Sequence, residues 1–147
     1  MAVVVYLDAN VLIALIEAEQ EIIPQTRRLF TLIENEIVAA ITSEVTLAEV
    51  LVKPLKNGDI PLLKSYESLL AKGSLVQLVA AGRGIWIDAA ALRALHGLKL
   101  VDALHLATAS RHGCDVLITA DKRIKSVGRI RIIDPESSEM ATWIDEQ

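Results

Sequence analysis

Val116-Leu117-Ile118-Thr119-Ala120-Asp121 is an apolar run of strand type that stops at a carboxylate, and the rest of the chain is best understood from it. Branched apolar residues followed by a β-branched threonine indicate a strand buried on both faces, as in a parallel sheet. In open α/β sheets the working site lies beyond the carboxyl ends of such strands. We therefore expect Asp121 to project into a crevice at that edge of the sheet.

A second strand of the same design occupies the N-terminus. The apolar run over residues 1–7 ends at Asp8, and Asn10 follows as the expected N-cap of a helix. The carboxyl ends of parallel strands meet at one edge of a sheet, so the two runs should deliver their acids to the same place. The sequence predicts that Asp8 and Asp121 lie close together.

The remaining chain alternates between short strands and helices of ten or more residues, which indicates βαβ units. Further strands are expected at 37–41, 75–79, 116–119 and 129–133, and helices at 10–18, 24–34, from 42–44 to about 53, 61–71, 85–95, from 102 onward and after Pro135. These elements predict the α/β class, with a mostly parallel central sheet of about five strands and helices on both faces. We expect a single domain spanning residues 1–147.

Composition supports a globular enzyme or binding module. The chain has 147 residues, of which 52% are hydrophobic, and this is enough for one sizeable core. No stretch has the roughly 18 uninterrupted apolar residues of a membrane span, and the N-terminus has no signal-peptide pattern. A single cysteine, Cys114, excludes an internal disulfide. These features predict a cytoplasmic protein with no membrane association.

Four acids on four different elements are the candidate catalytic residues: Asp8, Glu49, Asp102 and Asp121. Two carboxylates about 4 Å apart repel by roughly 4 kcal/mol at an effective dielectric near 20, so a cluster of four needs protonation or cations. Oxygen ligands favour Mg²⁺ or Mn²⁺, and such ions can activate water for phosphodiester hydrolysis. The pattern indicates nuclease chemistry.

Each acid also has an ordinary structural explanation. Asp102 can serve as a first-turn acid or N-cap, Asp8 can cap the helix that follows it, and Asp121 can belong to a turn. Glu49 lies beside the apolar stripe of its helix and needs a partner, for which Lys53 at i+4 is the local candidate. The sequence alone does not exclude these structural explanations.

Basic residues cluster directly after Asp121, although the net charge is −4. Five of the fifteen lysines and arginines lie between residues 122 and 131, and we expect Lys122, Arg123 and Lys125 to contact substrate phosphates. Lys53 and Lys99 lie near the other acids and suit the same role. The alternative is that the basic residues between 122 and 131 are exposed to solvent and contact no substrate.

Histidine and cysteine give weaker signals. His105 lies one helical turn after Asp102, and we interpret it as a histidine satisfied on a helix flank rather than a substrate contact. His96 and His112 occupy helix C-terminal positions, where positive charge is favourable. With Cys114 they lack the spacing of zinc ligands, and Cys114 is expected to be a small core residue.

At these residues the sequence resembles the PIN-domain family, especially the VapC-like toxins of toxin–antitoxin pairs. The matching stretches are Val5 to Ile13, Thr42 to Val50, Leu100 to Ala109 and Val116 to Asp121. The resemblance implies a three-layer PIN-like fold and a Mg²⁺- or Mn²⁺-dependent ribonuclease acting on single-stranded RNA. It further implies that the four acids bind the metal, with Asn10 and Thr119 lining the site. A homodimer and an inhibitory antitoxin partner are implied as well.

Three other classes of protein are consistent with acids at the ends of parallel strands or with the resemblance. A phosphoacceptor receiver needs an acidic pair after its first strand, and a haloacid-dehalogenase-like phosphatase needs a second acid two positions after its nucleophile. Ala9 and Asn10 follow Asp8 here, which disfavours both. A non-catalytic PIN-type module that binds RNA or protein is the remaining alternative, and the complete set of four acids disfavours it.

Overall fold

The structure is a computed structural model that describes residues 2–18 and 21–147, so Met1, the first residue of the predicted N-terminal strand, lies outside it. Five strands form one sheet: β1 Val3–Leu7, β2 Val38–Ser43, β3 Val76–Val79, β4 Val116–Ile118 and β5 Arg131–Ile133. Their order is β3-β2-β1-β4-β5, and every neighbouring pair is parallel. The predicted α/β class and parallel sheet are confirmed.

The helices that connect and follow the strands lie close to their predicted positions. They are α1 Ala9–Ile16, α2 Pro24–Glu34, α3 Val45–Val50, α4 Val52–Asn57, α5 Ile60–Leu69, α6 Arg83–His96, α7 Leu100–Arg111 and α8 Ser138–Asp145. Asp59 and Ser137 cap α5 and α8 by accepting hydrogen bonds from backbone N–H groups inside the first turn. Pro24 begins α2, where its missing N–H costs nothing.

Helices cover both faces of the sheet, as three layers require. On one face Val5 and Leu7 of β1 pack in a core with residues of α1, α2, α5 and α8. On the other face Tyr6 packs with Leu106 of α7, and α6 packs against α7 through Ile85 and Ala89. Because successive side chains of a strand point to opposite faces, β1 contributes to both cores.

The helix predicted to run from residues 42–44 to about Lys53 is instead two short helices, α3 and α4, that meet at Leu51. Pro54 explains the break, because it has no N–H to donate to Val50 and its ring crowds the carbonyl four residues back. The chain therefore bends just after Val50. The bend leaves Glu49 in the last turn of α3, beside the carboxyl end of β1.

Strand order places a topological switch point between β1 and β4. The chain builds β2 and β3 on one side of β1 and then crosses to β4 and β5 on the other. Asp8 N–H donates to Ile118 O at 3.1 Å, which extends the β1–β4 pairing to the residue that carries the first acid. A crevice is expected at such a point.

No helix of the described residues combines the length and the apolar character needed to cross a bilayer.

Candidate active site

The four candidate acids come from four places around the switch point. Asp8 follows β1, Asp121 lies three residues beyond β4, Glu49 is in α3 and Asp102 is in the first turn of α7. All four line one cleft of about 460 Å³, together with Ala9, Asn10, Ile13, Lys99, Leu100, Val101 and Arg123. Asp8 and Asp121 therefore lie in the same cleft, as predicted. The residues that line it come from positions between 8 and 123 of the sequence.

Asp8 is the most constrained of these acids, with only 5% of its surface exposed. Its Oδ1 accepts from the N–H of Ala9 at 2.7 Å, so Asp8, and not Asn10 as predicted, is the N-cap of α1. Its Oδ2 accepts from Thr119 Oγ1 at 2.6 Å and from Asn10 Nδ2 at 3.0 Å. These contacts hold the carboxylate in one orientation at the base of the cleft.

Asn10 and Thr119 connect the two strand ends. Asn10 Nδ2 donates to Thr119 Oγ1 at 3.1 Å, and Asn10 Oδ1 accepts from Ala120 N. Thr119 Oγ1 also accepts from the N–H of Asp121 at 2.9 Å, and Thr119 is only 2% exposed. Asn10 lines the cleft as expected. Thr119 lies beneath it, where its hydroxyl orients Asp8 and Asp121 and has little surface left for a substrate.

Glu49 pairs with His105 rather than with Lys53, the local partner considered from the sequence. His105 Nε2 lies 2.6 Å from Glu49 Oε1, whereas Lys53 Nζ bonds to Glu17 Oε1 at 2.5 Å. The partner that the structure gives to Glu49 therefore comes from α7 and not from the next turn of its own helix.

His105 is buried directly beside Asp8 and Glu49, a position that is not predicted from the sequence. It is 1% exposed, and its Nε2 also lies 3.2 Å from Asp8 Oδ1. Its Nδ1 lies 2.5 Å from the hydroxyl of Tyr6, which accepts in turn from the N–H of Ser43. The histidine is satisfied, as predicted, but by site residues. Its i, i+3 spacing from Asp102 was the available signal.

Tyr6 of β1 is fully buried and packs with Leu106 of α7. Burial raises the pKa of its phenol, and the negative charges of Asp8 and Glu49 act in the same direction. The phenol therefore stays protonated and neutral at any working pH. It can donate its O–H while its oxygen accepts from Ser43.

Arg123 and Lys99 are the basic residues that line the cleft. Arg123 makes a bidentate pair with Asp121, with Nη2 at 2.7 Å from Oδ2 and Nε at 3.0 Å from Oδ1. Hydrogen bonding to Arg123, followed by the charges of Arg123 and Lys99, lowers the pKa of Asp121. Lys122 and Lys125 are exposed, and neither is among the residues found to line this cleft in the described structure.

Asp102 has the opposite electrostatic surroundings. Burial raises its pKa first, and the neighbouring charges of Asp121 and Asp8 raise it further against the opposing effects of Arg123 and His105. The residue as a whole is only 8% exposed. A buried acid among other acids is destabilising in the ionised form, and this is the electrostatic situation that a bound cation relieves.

We expect Asp102→Asn to raise the metal-free melting temperature at pH 7 by a few degrees, because the ionised Asp102 destabilises the folded state. A raised folded pKa means that this acid favours folding only when protonated, below the pKa of the unfolded chain, and the benefit is lost as pH rises through the folded pKa. The gain in the variant should therefore shrink toward acidic pH. Thermal unfolding from pH 3 to pH 8 measures it, and a destabilised variant at pH 7 would contradict the assignment.

The remaining candidates from the sequence have structural roles. Cys114 is 4% exposed in the core beside β4, and burial raises the pKa of its thiol to about 12. His96 is the last residue of α6, and His112 is the C-cap of α7. The prediction that Cys114 is a small core residue is confirmed.

The donor set fits a hard divalent cation. Asp8, Glu49, Asp102 and Asp121 supply carboxylate oxygens to one cleft, and Asp8, Glu49 and His105 each offer a ligand atom within 4.8 Å of the others. Burial, followed by the charges of Asp121 and Asp8, raises the pKa of Asp102 against the opposing charge of Arg123, so a cation in the cleft would stabilise the ionised acids. Oxygen-rich sites of this kind suit Mg²⁺ or Mn²⁺.

Sheet order and cleft together define a class of protein: a parallel α/β domain with an acidic pocket at its switch point. Within that class, the PIN domain family matches residues 5–130, a range that includes all four acids. The chain belongs to the PIN domain family. No match was found among curated protein sequences.

Solved structures agree with this fold. A chain of a toxin–antitoxin complex from Klebsiella pneumoniae is 25% identical, with a TM-score of 0.64 and coverage of 89% of this chain and 97% of that one. A chain of DNA-bound VapBC from Salmonella typhimurium is 20% identical, with a TM-score of 0.73 and coverage of 92% and 99%. A chain of FitAcB from Neisseria gonorrhoeae is 15% identical, with a TM-score of 0.65 and coverage of 89% and 97%.

Proposed function

We propose that this protein is a Mg²⁺- or Mn²⁺-dependent endoribonuclease that hydrolyses phosphodiester bonds of single-stranded RNA. One observation carries the proposal: four carboxylates from four separate elements line a single cleft in a chain of the PIN domain family. Concentrating acids in this way is unfavourable for folding unless a cation binds there. A purely structural role would not require it.

In this proposal Asp8, Glu49, Asp102 and Asp121 hold the metal. When bound, Mg²⁺ or Mn²⁺ would supply a water of lowered pKa and stabilise negative charge on the phosphate. Asn10 and Thr119 keep Asp8 in one orientation through hydrogen bonds to its Oδ2. Arg123 and Lys99 stand at the cleft wall, where cations would orient the phosphates of a bound strand.

We also propose that all 147 residues form one domain that acts in the cytoplasm as the toxin of a type II toxin–antitoxin pair, as a homodimer controlled by an antitoxin. Support comes from the similarity to the chain of the Klebsiella pneumoniae toxin–antitoxin complex, at 25% identity and 97% coverage of that chain. Light scattering of the purified protein tests the dimer. A monomeric mass at micromolar concentration would contradict it.

The activity test uses the purified chain and a labelled single-stranded RNA, with Mg²⁺ or Mn²⁺ added to metal-free protein. Cleavage should depend on the metal, stop with EDTA and return when the metal is restored in excess. A fully paired duplex of the same sequence is the matched substrate control. Binding of RNA without cleavage under both metals would replace this proposal by a non-catalytic PIN-type module that binds RNA, and binding of neither metal would remove the site itself.

A further inference from the structure

A buried chain of hydrogen bonds runs from the backbone of β2 to Glu49. Ser43 N–H donates to the Tyr6 hydroxyl at 3.0 Å, the hydroxyl lies 2.5 Å from His105 Nδ1, and His105 Nε2 lies 2.6 Å from Glu49 Oε1. Tyr6 and His105 are at most 1% exposed. The metal ligands proposed above do not by themselves explain why two large polar side chains are buried beneath them.

The position of each hydrogen determines which atom donates in the hydrogen bonds among Tyr6, His105 and Glu49. His105 Nε2 faces Glu49 Oε1 at 2.6 Å and Asp8 Oδ1 at 3.2 Å, and ionised carboxylate oxygens can only accept. Nε2 must therefore carry a hydrogen. A neutral imidazole protonated there presents Nδ1 as an acceptor, and the neutral Tyr6 phenol has an O–H to donate to it. Each donor in this series of hydrogen bonds, from Ser43 to His105, then has an acceptor.

We propose that His105 is a positioning residue that holds the Glu49 carboxylate through its Nε2–H, and that Tyr6 sets its tautomer. The inference rests on the proposed metal site. Glu49 Oε1 lies 2.6 Å from His105 Nε2, and Glu49 lines the cleft. Oε2, the oxygen that His105 does not hold, is the one assigned to the cation. Hydrogen-bonded second partners of this kind orient carboxylate ligands at metal sites.

The competing role for His105 is direct coordination, since its Nε2 lies within 4.8 Å of the ligand oxygens of Asp8 and Glu49. Coordination needs a lone pair on Nε2, so the hydrogen would have to move to Nδ1. There it would face the Tyr6 phenol, whose own hydrogen would have to turn from the imidazole to the Thr42 hydroxyl. The 2.6 Å contact between Nε2 and Glu49 Oε1 requires a hydrogen between the two atoms, so the geometry favours donation over coordination.

Nitrogen NMR of His105 in ¹⁵N-histidine-labelled protein tests the assignment directly. In the metal-free wild type, Nε2 should show a bonded hydrogen, and it should keep that hydrogen when Mg²⁺ is added. An Nε2 without hydrogen in either state would overturn the proposal. The metal-free spectrum needs neither metal nor RNA, so it separates failure of this inference from failure of the proposed ribonuclease function.

Variants of His105 test the consequence for metal binding. His105→Gln can place an amide N–H near the position of Nε2, whereas His105→Ala removes the donor. We expect Mn²⁺ affinity, measured by calorimetry, to fall about tenfold in His105→Ala and by less than about threefold in His105→Gln. His112→Gln at the exposed C-cap of the same helix is the matched control and should match the wild type.

The pattern across the variants decides the role. Equal loss in His105→Gln and His105→Ala would contradict the donor role, and wild-type affinity in His105→Ala would contradict any role. Tyr6→Phe removes the phenol hydroxyl while keeping the ring, and it should lower Mn²⁺ affinity and shift the Nε2 signal toward a mixture of tautomers. A Tyr6→Phe protein with an unchanged Nε2 signal would remove Tyr6 from the proposal.

Discussion

Asp8→Asn is expected to lower metal-dependent RNA cleavage by at least about 100-fold, the equivalent of roughly 2.7 kcal/mol of transition-state stabilisation. Asp8 is the acid that the structure holds most tightly, through Ala9, Asn10, Thr119 and His105. Removing its charge removes a proposed metal ligand from the centre of the cluster. The rate of cleavage of a labelled RNA at saturating Mn²⁺ measures the loss.

The fold should survive this substitution. Asparagine caps a helix about as well as aspartate, so its Oδ1 can still accept from the N–H of Ala9. Its NH₂ group replaces the oxygen that accepts from Thr119 and Asn10, so we expect a lower melting temperature with the fold retained. Far-UV circular dichroism and thermal unfolding check this. Asp145→Asn, an exposed acid of α8 paired with Arg28 away from the cleft, is the matched control and should cleave RNA at the wild-type rate. Comparable activity in Asp8→Asn and Asp145→Asn would eliminate the proposed metal site.

Lys99→Ala with Arg123→Ala is expected to weaken RNA binding by roughly 30-fold at low salt, because each removed cation loses about 1 kcal/mol of charge-assisted phosphate contact. Both side chains line the cleft, and the Arg123 side chain is 62% exposed despite its pair with Asp121. Fluorescence anisotropy of a labelled RNA measures affinity. An Asp8→Asn background keeps the RNA intact.

The salt dependence distinguishes phosphate contacts from a general loss of charge. Losing two contacts to a single strand should flatten the slope of log affinity against log salt by about 1.4. Lys122→Ala with Lys125→Ala removes the same charge from outside the cleft and is the matched control. A larger change in the control pair than in the Lys99 and Arg123 pair would place the RNA path on the surface run after Asp121, as the sequence pattern predicts.

The strands and the acids of this chain are predictable from its sequence for a physical reason. Strands buried on both faces have to be continuous apolar runs, and acids that end such runs can only lie at a sheet edge. The runs that lead to Asp8 and Asp121 therefore contained both the fold class and the position of the cleft. Asp102 in the first turn of α7 followed from local helix rules in the same way.

Helical spacing alone does not predict the partner of a side chain that has several polar residues within reach in the folded protein. Lys53, one helical turn from Glu49, was the sensible local partner, yet Pro54 bends the chain and Lys53 bonds to Glu17. Of the basic run after Asp121, Arg123 lines the cleft, together with Lys99 from the start of α7, while the predicted phosphate contacts of Lys122 and Lys125 are measured by the RNA-binding comparison above. Sequence proximity measures distance along the chain and says little about direction in space.

The parallel α/β architecture and the four acids at its switch point therefore follow from the sequence alone, because apolar periodicity and the residues that end strands or begin helices predict both. The partners of those acids depend on tertiary contacts. His105 meets Glu49 across 56 residues of chain and Tyr6 across 99, while Thr119 meets Asp8 across 111. Contacts over such separations depend on the packing of α7 against the sheet and on the pairing of β1 with β4, and no local pattern records them.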